Sequence, residues 1–99
     1  MTRIVWSDQA QADLAAIHAY IARDSERYAQ VTVERIIEAV DRLRAWPRSG
    51  RIVPEIGDEN LREVLLAPYR IVYRLLGDVV GVATVVHTSR EFRLPEGAV

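Results

Sequence analysis

Residues 69–88 read YRIVYRLLGDVVGVATVVHT, and this stretch decides the fold. Tyr69 to Leu76 and Val79 to Thr88 are β-rich runs, joined by Gly77-Asp78, the Gly-first pair of a two-residue hairpin turn. Setting Leu76 opposite Val79 places Tyr73 opposite Val82, Ile71 opposite Thr84 and Tyr69 opposite Val86. In that register Tyr69, Ile71, Tyr73, Leu75, Val80, Val82 and Val86 share one face, apolar enough to bed helices. Arg70, Val72, Arg74, Gly81, Ala83, Val85 and His87 share the other, which is half apolar and half cationic.

Working outward, Leu61 to Leu66 is a third β-rich run, while Arg48-Ser49-Gly50 is punctuation and Ile52 to Asn60, with Pro54 and Gly57, reads as a loop or a poor strand. The first half has a different period. Arg3 to Trp6 is a short strand, Ser7 is an N-cap, and Asp8 sits where the helix dipole favours an acid. Ala10, Leu14, Ile17 and Ile21 recur at helical spacing, with Asp13 and Arg23 off the stripe, so residues 7–23 are expected to be helical. Asp24-Ser25 breaks that helix. Ser25 caps a second, whose stripe is Ala29, Val33, Ile36, Ile37, Val40 and Leu43 and which Pro47 closes near Trp46. So short a connection folds the two helices back as a hairpin. The expected class is α+β, with an N-terminal strand and an antiparallel helical hairpin on a twisted, mainly antiparallel sheet, all in one domain of residues 1–99.

Composition excludes several chemistries. With 99 residues, 49% hydrophobic, the chain can bury one core. All 13 basic residues are Arg, which removes P-loop and Schiff-base lysines, and the absence of Cys removes disulfides, thiolate nucleophiles and Cys-based zinc sites. With only His18 and His87 besides, neither a metal nor a cofactor is expected. Residues 1–20 carry no apolar leader and no window is long enough to span a bilayer, so a cytoplasmic protein is expected. The formal net charge of −1 gives no overall drive toward nucleic acid. It is unevenly divided: residues 1–41 hold four Arg against seven acids (−3), and residues 42–99 hold nine Arg against seven acids (+2).

Candidate chemistry gathers on the cationic face. In the expected register Arg70 and His87 are diagonal neighbours, about 7 Å apart at Cβ. Arg70 there would bind a phosphate or carboxylate while His87 exchanges a proton; the plainer alternative pairs Arg70 with an acid such as Glu63. Arg62, Arg74, Arg90 and Arg93 extend the basic margin, or are simply solvated. Tyr69 and Tyr73 are turned toward the helices, and His18 reads as a packing residue on a helix edge. Ser89 lies two residues from His87 but in no G-x-S-x-G elbow, the glycines are too dispersed for a dinucleotide loop, and Asp58-Glu59 reads as a solvent-exposed turn.

Several short motifs, in order over nearly the whole chain, resemble the ParE/RelE toxin superfamily of type II toxin–antitoxin modules, also called plasmid-stabilisation proteins. They are Trp6-Ser7 with Ala12-Asp13-Leu14 and Ile17 to Ile21, Pro47-x-x-Gly50-Arg51 with Pro54-Glu55, Arg62-Glu63, Tyr69 to Arg74, and Val86 to Glu91. The resemblance implies a growth-inhibiting toxin neutralised by a cognate antitoxin that wraps it, with operator DNA met only through the antitoxin. Val72, Ala83 and Val85 would then offer the antitoxin an apolar surface. ParE-like members poison DNA gyrase, and on that branch no residue is catalytic and Arg62, Arg70, Arg74, His87, Arg90 and Arg93 are the target-binding candidates. RelE-like and YoeB-like members cut mRNA on the ribosome without a metal. There Glu55 resembles the general base, Arg70 the phosphate-binding arginine and His87 the histidine of a C-terminal His-Tyr, but Thr88 stands in place of the tyrosine and lysines are missing. The strand ending His87-x-x-Arg90 looks more like the ParE branch, as does a charge balance suited to a protein target. A diverged, non-toxic module partner is the remaining alternative.

Overall fold

The computed structural model describes residues 2–90 and 92–94. The order is β1 (Arg3–Trp6), α1 (Asp8–Ala22), α2 (Glu26–Asp41), a 3-10 turn (Arg42–Arg44), β2 (Arg51–Ile52), β3 (Leu61–Leu66), β4 (Tyr69–Leu76) and β5 (Val79–His87). The five strands form one sheet in the order β1-β5-β4-β3-β2, antiparallel except where β1 lies parallel to β5. This is the expected α+β architecture, with the helical hairpin on one face.

Local chemistry accounts for the element boundaries. The Ser7 and Ser25 side chains accept from the Ala10 and Tyr28 backbone N–H groups, satisfying donors that each helix start leaves unpaired. Gly77 has φ of +60°, the left-handed conformation that the first position of this turn demands and that glycine adopts at least cost. The Tyr73 hydroxyl donates to the Pro47 carbonyl (2.7 Å) and accepts from the Gly50 N–H (3.0 Å), fastening the segment after the helices to the middle of the sheet. A methyl group on Gly50 would stand 2.6 Å from both the Glu63 carbonyl oxygen and that hydroxyl, so the Pro47-x-x-Gly50 motif is explained by close approach.

Two clusters divide the core across the sheet. On the helix face Ala10, Ile36, Val40 and Leu43 meet Ile71, Tyr73, Val80, Val82 and Val85, while Ile37, expected on the buried stripe of α2, is exposed. On the opposite face Val53, Leu61 and Val72 are closed over by Phe92 and Leu94.

The β4–β5 register departs from expectation at one place. From the turn, Leu76 to Tyr73 pair with Val79 to Val82 as expected, but a bulge then leaves Ala83 without a partner, and Val72 pairs with Thr84, Ile71 with Val85, Arg70 with Val86 and Tyr69 with His87. One inserted residue inverts every later side chain, since strand residues alternate faces. Val85 and His87 therefore leave the cationic face for the helix face, and Val86 makes the opposite exchange. The bulge is met from α1 and its cap: an Asp13 carboxylate oxygen accepts from the Thr84 hydroxyl and from the Val85 N–H (3.0 Å), while the Ser7 hydroxyl donates to the Ala83 carbonyl (2.9 Å). These contacts satisfy the backbone groups that a bulge frees from the ladder.

Candidate functional site

Two clusters carry the charged candidates, one on each side of the sheet. On the face away from the helices, β3 and β4 bring Glu63 and Arg70 together. Glu63 is buried and accepts from Arg70 and from Arg51, and Arg70 extends across to the Glu55 carboxylate in a two-pronged pair of 2.7 and 2.9 Å. The Phe92 ring covers the guanidinium, with its centroid 4.8 Å away. Arg70 is therefore largely committed: it is 8% exposed, two carboxylates take four of its five N–H donors and an aromatic ring takes its face. The hydrogen bonds from Arg70 hold the Glu55 carboxyl down from 4.5 to about 2, and the same pair raises the Arg70 value. The plainer alternative for Arg70, a partnership with Glu63, is the arrangement found.

The other basic candidates are sorted by the same geometry. Arg62 donates to the carbonyls of Glu59 (2.7 Å) and Gly50 (3.1 Å), stapling two loops. Arg74 stands 3.9 Å from Asp58. Arg90 and Arg93 are exposed, and Glu91 between them lies outside the described residues. Val72, Ala83 and Val85 do not form the expected shared apolar surface. All three are at most 3% exposed, Val72 lies under the segment that carries Phe92 and Leu94, and the bulge has turned Val85 into the helix-side core. Partly exposed apolar ground lies instead in a groove of about 630 Å³ lined by Trp6 of β1, Leu14 and Ala15 of α1 and Val33 and Ile37 of α2, beside the half-buried His18.

His87, on the helix face, is separated by the sheet from Arg70 and Glu55. Its ring stands edge-on to Tyr69 (centroids 5.8 Å apart, 82° between planes), and its Nδ1 accepts from the Ser89 N–H at 3.1 Å. The neighbouring groove, about 600 Å³, lies between α1 and the end of β5 and is lined by Asp13, Ile17, Tyr20, Tyr69, His87 and Arg90 among others. The chain turns at Ser89 and Arg90, where the Arg90 N–H meets the His87 carbonyl at 3.0 Å, before Phe92 crosses to the far face. The sequence reading assigned no role to Phe92 or Tyr20 and left Asp13 as an acid off the apolar stripe. Phe92 had one signal, an aromatic two residues from Leu94 with charged residues at 90, 91 and 93, the spacing of side chains that share a side of an extended segment. Among the described residues no three His, Asp or Glu side chains gather as a metal ion would need, and no helix is long and apolar enough to cross a membrane.

A helical hairpin on a five-stranded, mainly antiparallel sheet defines a small α+β protein. The family model for the ParE toxin of the type II toxin–antitoxin system, parDE, matches residues 4–92. A Caulobacter vibrioides protein called toxin RelE2 is 35% identical over 91 residues, which cover 91% of this chain and 99% of that one. A chain in the solved structure of the chromosomal ParDE TA system from P. aeruginosa shares the fold, with a TM-score of 0.73 at 24% identity, covering 88% of this chain and 96% of that one. The chain belongs to the ParE toxin family of type II toxin–antitoxin systems.

Proposed function

We propose that this toxin arrests bacterial growth by binding and poisoning DNA gyrase, and that a cognate antitoxin neutralises it. The observation that carries this reading is the condition of Glu55 and Arg70. A general base must be free to take a proton near neutral pH, and a carboxyl held at about 2 by a two-pronged ion pair is a poor one. A phosphate-binding arginine must have unspent donors, whereas those of Arg70 go to Glu55 and Glu63 beneath Phe92. His87 lies across the sheet from both. Contact with a protein target asks only for exposed groups, and His87, Arg90 and Arg93 are exposed. Arg62, Arg70 and Arg74 act in this reading by holding the surface in shape. The apolar groove of Trp6, Leu14 and Ile37 offers an amphipathic segment of the antitoxin the surface that Val72, Ala83 and Val85 do not.

One observation favours a second reading: the 35% identical relative bears the name toxin RelE2. Under it the chain is a metal-independent, ribosome-dependent mRNA endonuclease, with Glu55, Arg70 and His87 brought together only on the ribosome. Induction of the chain in a bacterial host, with pulse-labelling of DNA and protein synthesis over the first minutes, separates the two. We expect DNA synthesis to fail first, and Glu55→Gln to arrest growth as the parent does. Early loss of protein synthesis, with Glu55→Gln inactive though folded, would instead establish the nuclease. Growth unaffected by a folded, soluble chain would mark a diverged module without toxicity.

A further inference from the structure

The groove between α1 and the end of β5 has an uneven hydrogen-bonding inventory. Because the Ser89 N–H donates to His87 Nδ1, that nitrogen carries no proton, and the neutral ring presents Nε2–H as a donor. The Ser89 hydroxyl stands 2.8 Å from the same Nδ1. Arg90 on the groove wall brings N–H groups and no acceptor. The acid in the lining, Asp13, already accepts from the Thr84 hydroxyl, the Val85 N–H and the Gln9 amide (2.8 Å), so both its oxygens are engaged. Tyr20, 71% exposed, adds an aromatic wall, and the Arg23 guanidinium stands 5.9 Å from its ring centre. Donors, aromatic faces and the Arg90 guanidinium, with the oxygens of the local carboxylate already accepting from other groups, match a single carboxylate carried on an apolar stem.

We propose that this groove docks a segment of a partner protein through an aspartate or glutamate side chain, which Arg90 and the His87 Nε2–H hold while the adjoining apolar atoms lie against Tyr20 and Tyr69. The proposal rests on the reading that the toxin acts by binding a protein. A nucleic-acid backbone is the poorer occupant, since the groove offers one guanidinium and one imidazole N–H, enough for a single carboxylate but not for a line of phosphates passing the Asp13 carboxylate.

Phenylacetate carries the two required features and serves as the probe, with phenylacetamide as its neutral counterpart. In NMR titrations of the whole chain, phenylacetate is expected to shift the His87, Tyr20 and Tyr69 ring signals together, with a Kd of about 1–10 mM, as its size allows. Loss of the charge-assisted contact in phenylacetamide, or in the exposed variant Arg90→Gln, is expected to weaken binding about 10-fold. Unmoved ring signals, equal binding of the amide, or unchanged binding by Arg90→Gln would overturn the proposal, as would displacement of phenylacetate by short single-stranded DNA at lower concentration. Growth assays separate this claim from the target reading. If DNA synthesis fails first and both Arg90→Gln and Tyr20→Ala stay fully toxic while folded, the groove proposal falls and the gyrase reading stands. If phenylacetate binds as described while protein synthesis fails first, the site stands and the gyrase reading falls.

Discussion

Arg70 and Arg90 show what a fold can do with the same side chain. Arg70 sits near the start of β4 on the sheet face away from the helices, between two carboxylates and under a phenyl ring, and stands 8% exposed. Arg90 sits in the turn beyond β5, on an open groove with aromatic walls. One is an interior fastening, the other a surface group available to a partner. A candidate cation is thus judged by how many of its donors the chain itself occupies, and composition is silent on that count.

The contrast breaks most severely at Glu63. Its fully buried carboxylate pairs with Arg70 and Arg51, and Glu63→Ala would leave the buried Arg70 guanidinium with the half-exposed Glu55 as its remaining carboxylate. We expect a loss of about 3–5 kcal/mol in urea unfolding, the usual cost of removing one partner of a buried pair. A loss near that of an exposed ion pair would mean that the Arg70 cluster is ordinary surface.

A smaller effect is expected where the two sides of the sheet are told apart, at Asp13. Asp13→Ala leaves the Thr84 hydroxyl and the Val85 N–H without their partner, at about 1–3 kcal/mol. The informative readout is the Tyr69–His87 contact in NMR: if the bulge needs Asp13, that contact weakens in the variant, and if it persists unchanged, the bulge belongs to the strands alone.

The smallest effect concerns the exposed end of the Arg70 network. The Glu55 value is lower in the folded chain than the ordinary 4.5, so its ion pair contributes fully above about 4.5 and is lost as pH falls toward about 2. The stability difference between the parent and Glu55→Gln should therefore be present near neutral pH, shrink below 4.5 and vanish near 2. A difference that stays constant across that window would show that Glu55 contributes nothing through its charge.

How much of this was legible depends on the range of the interaction concerned. The Gly77-Asp78 turn, the Ser7 and Ser25 caps, the helical stripes and the strand edges could be read because each depends on neighbours a few residues away. The Arg70–Glu63 pair was legible as an alternative, since adjacent strands of a meander put a charge on each. The bulge at Ala83 was not, because the groups that stabilise it come from Asp13 and Ser7, 72 and 76 residues away from their partners. Nor was the cover over Val72, which depends on where the tail turns after His87.

Sequence alone therefore determined the two helices, four of the five strands, their order, the α+β class and the resemblance that led to the family, since periodicity, caps and turns are local properties of the chain, whereas β2 (Arg51–Ile52) exists only through its pairing with β3. Tertiary structure decided the parallel docking of β1 on β5, the face to which His87 turns, and which arginines remain open to a partner. The reason is physical: a strand's side chains alternate, so one bulge held by a distant carboxylate reassigns every residue beyond it, and an arginine's availability depends on which carboxylates the fold brings within reach.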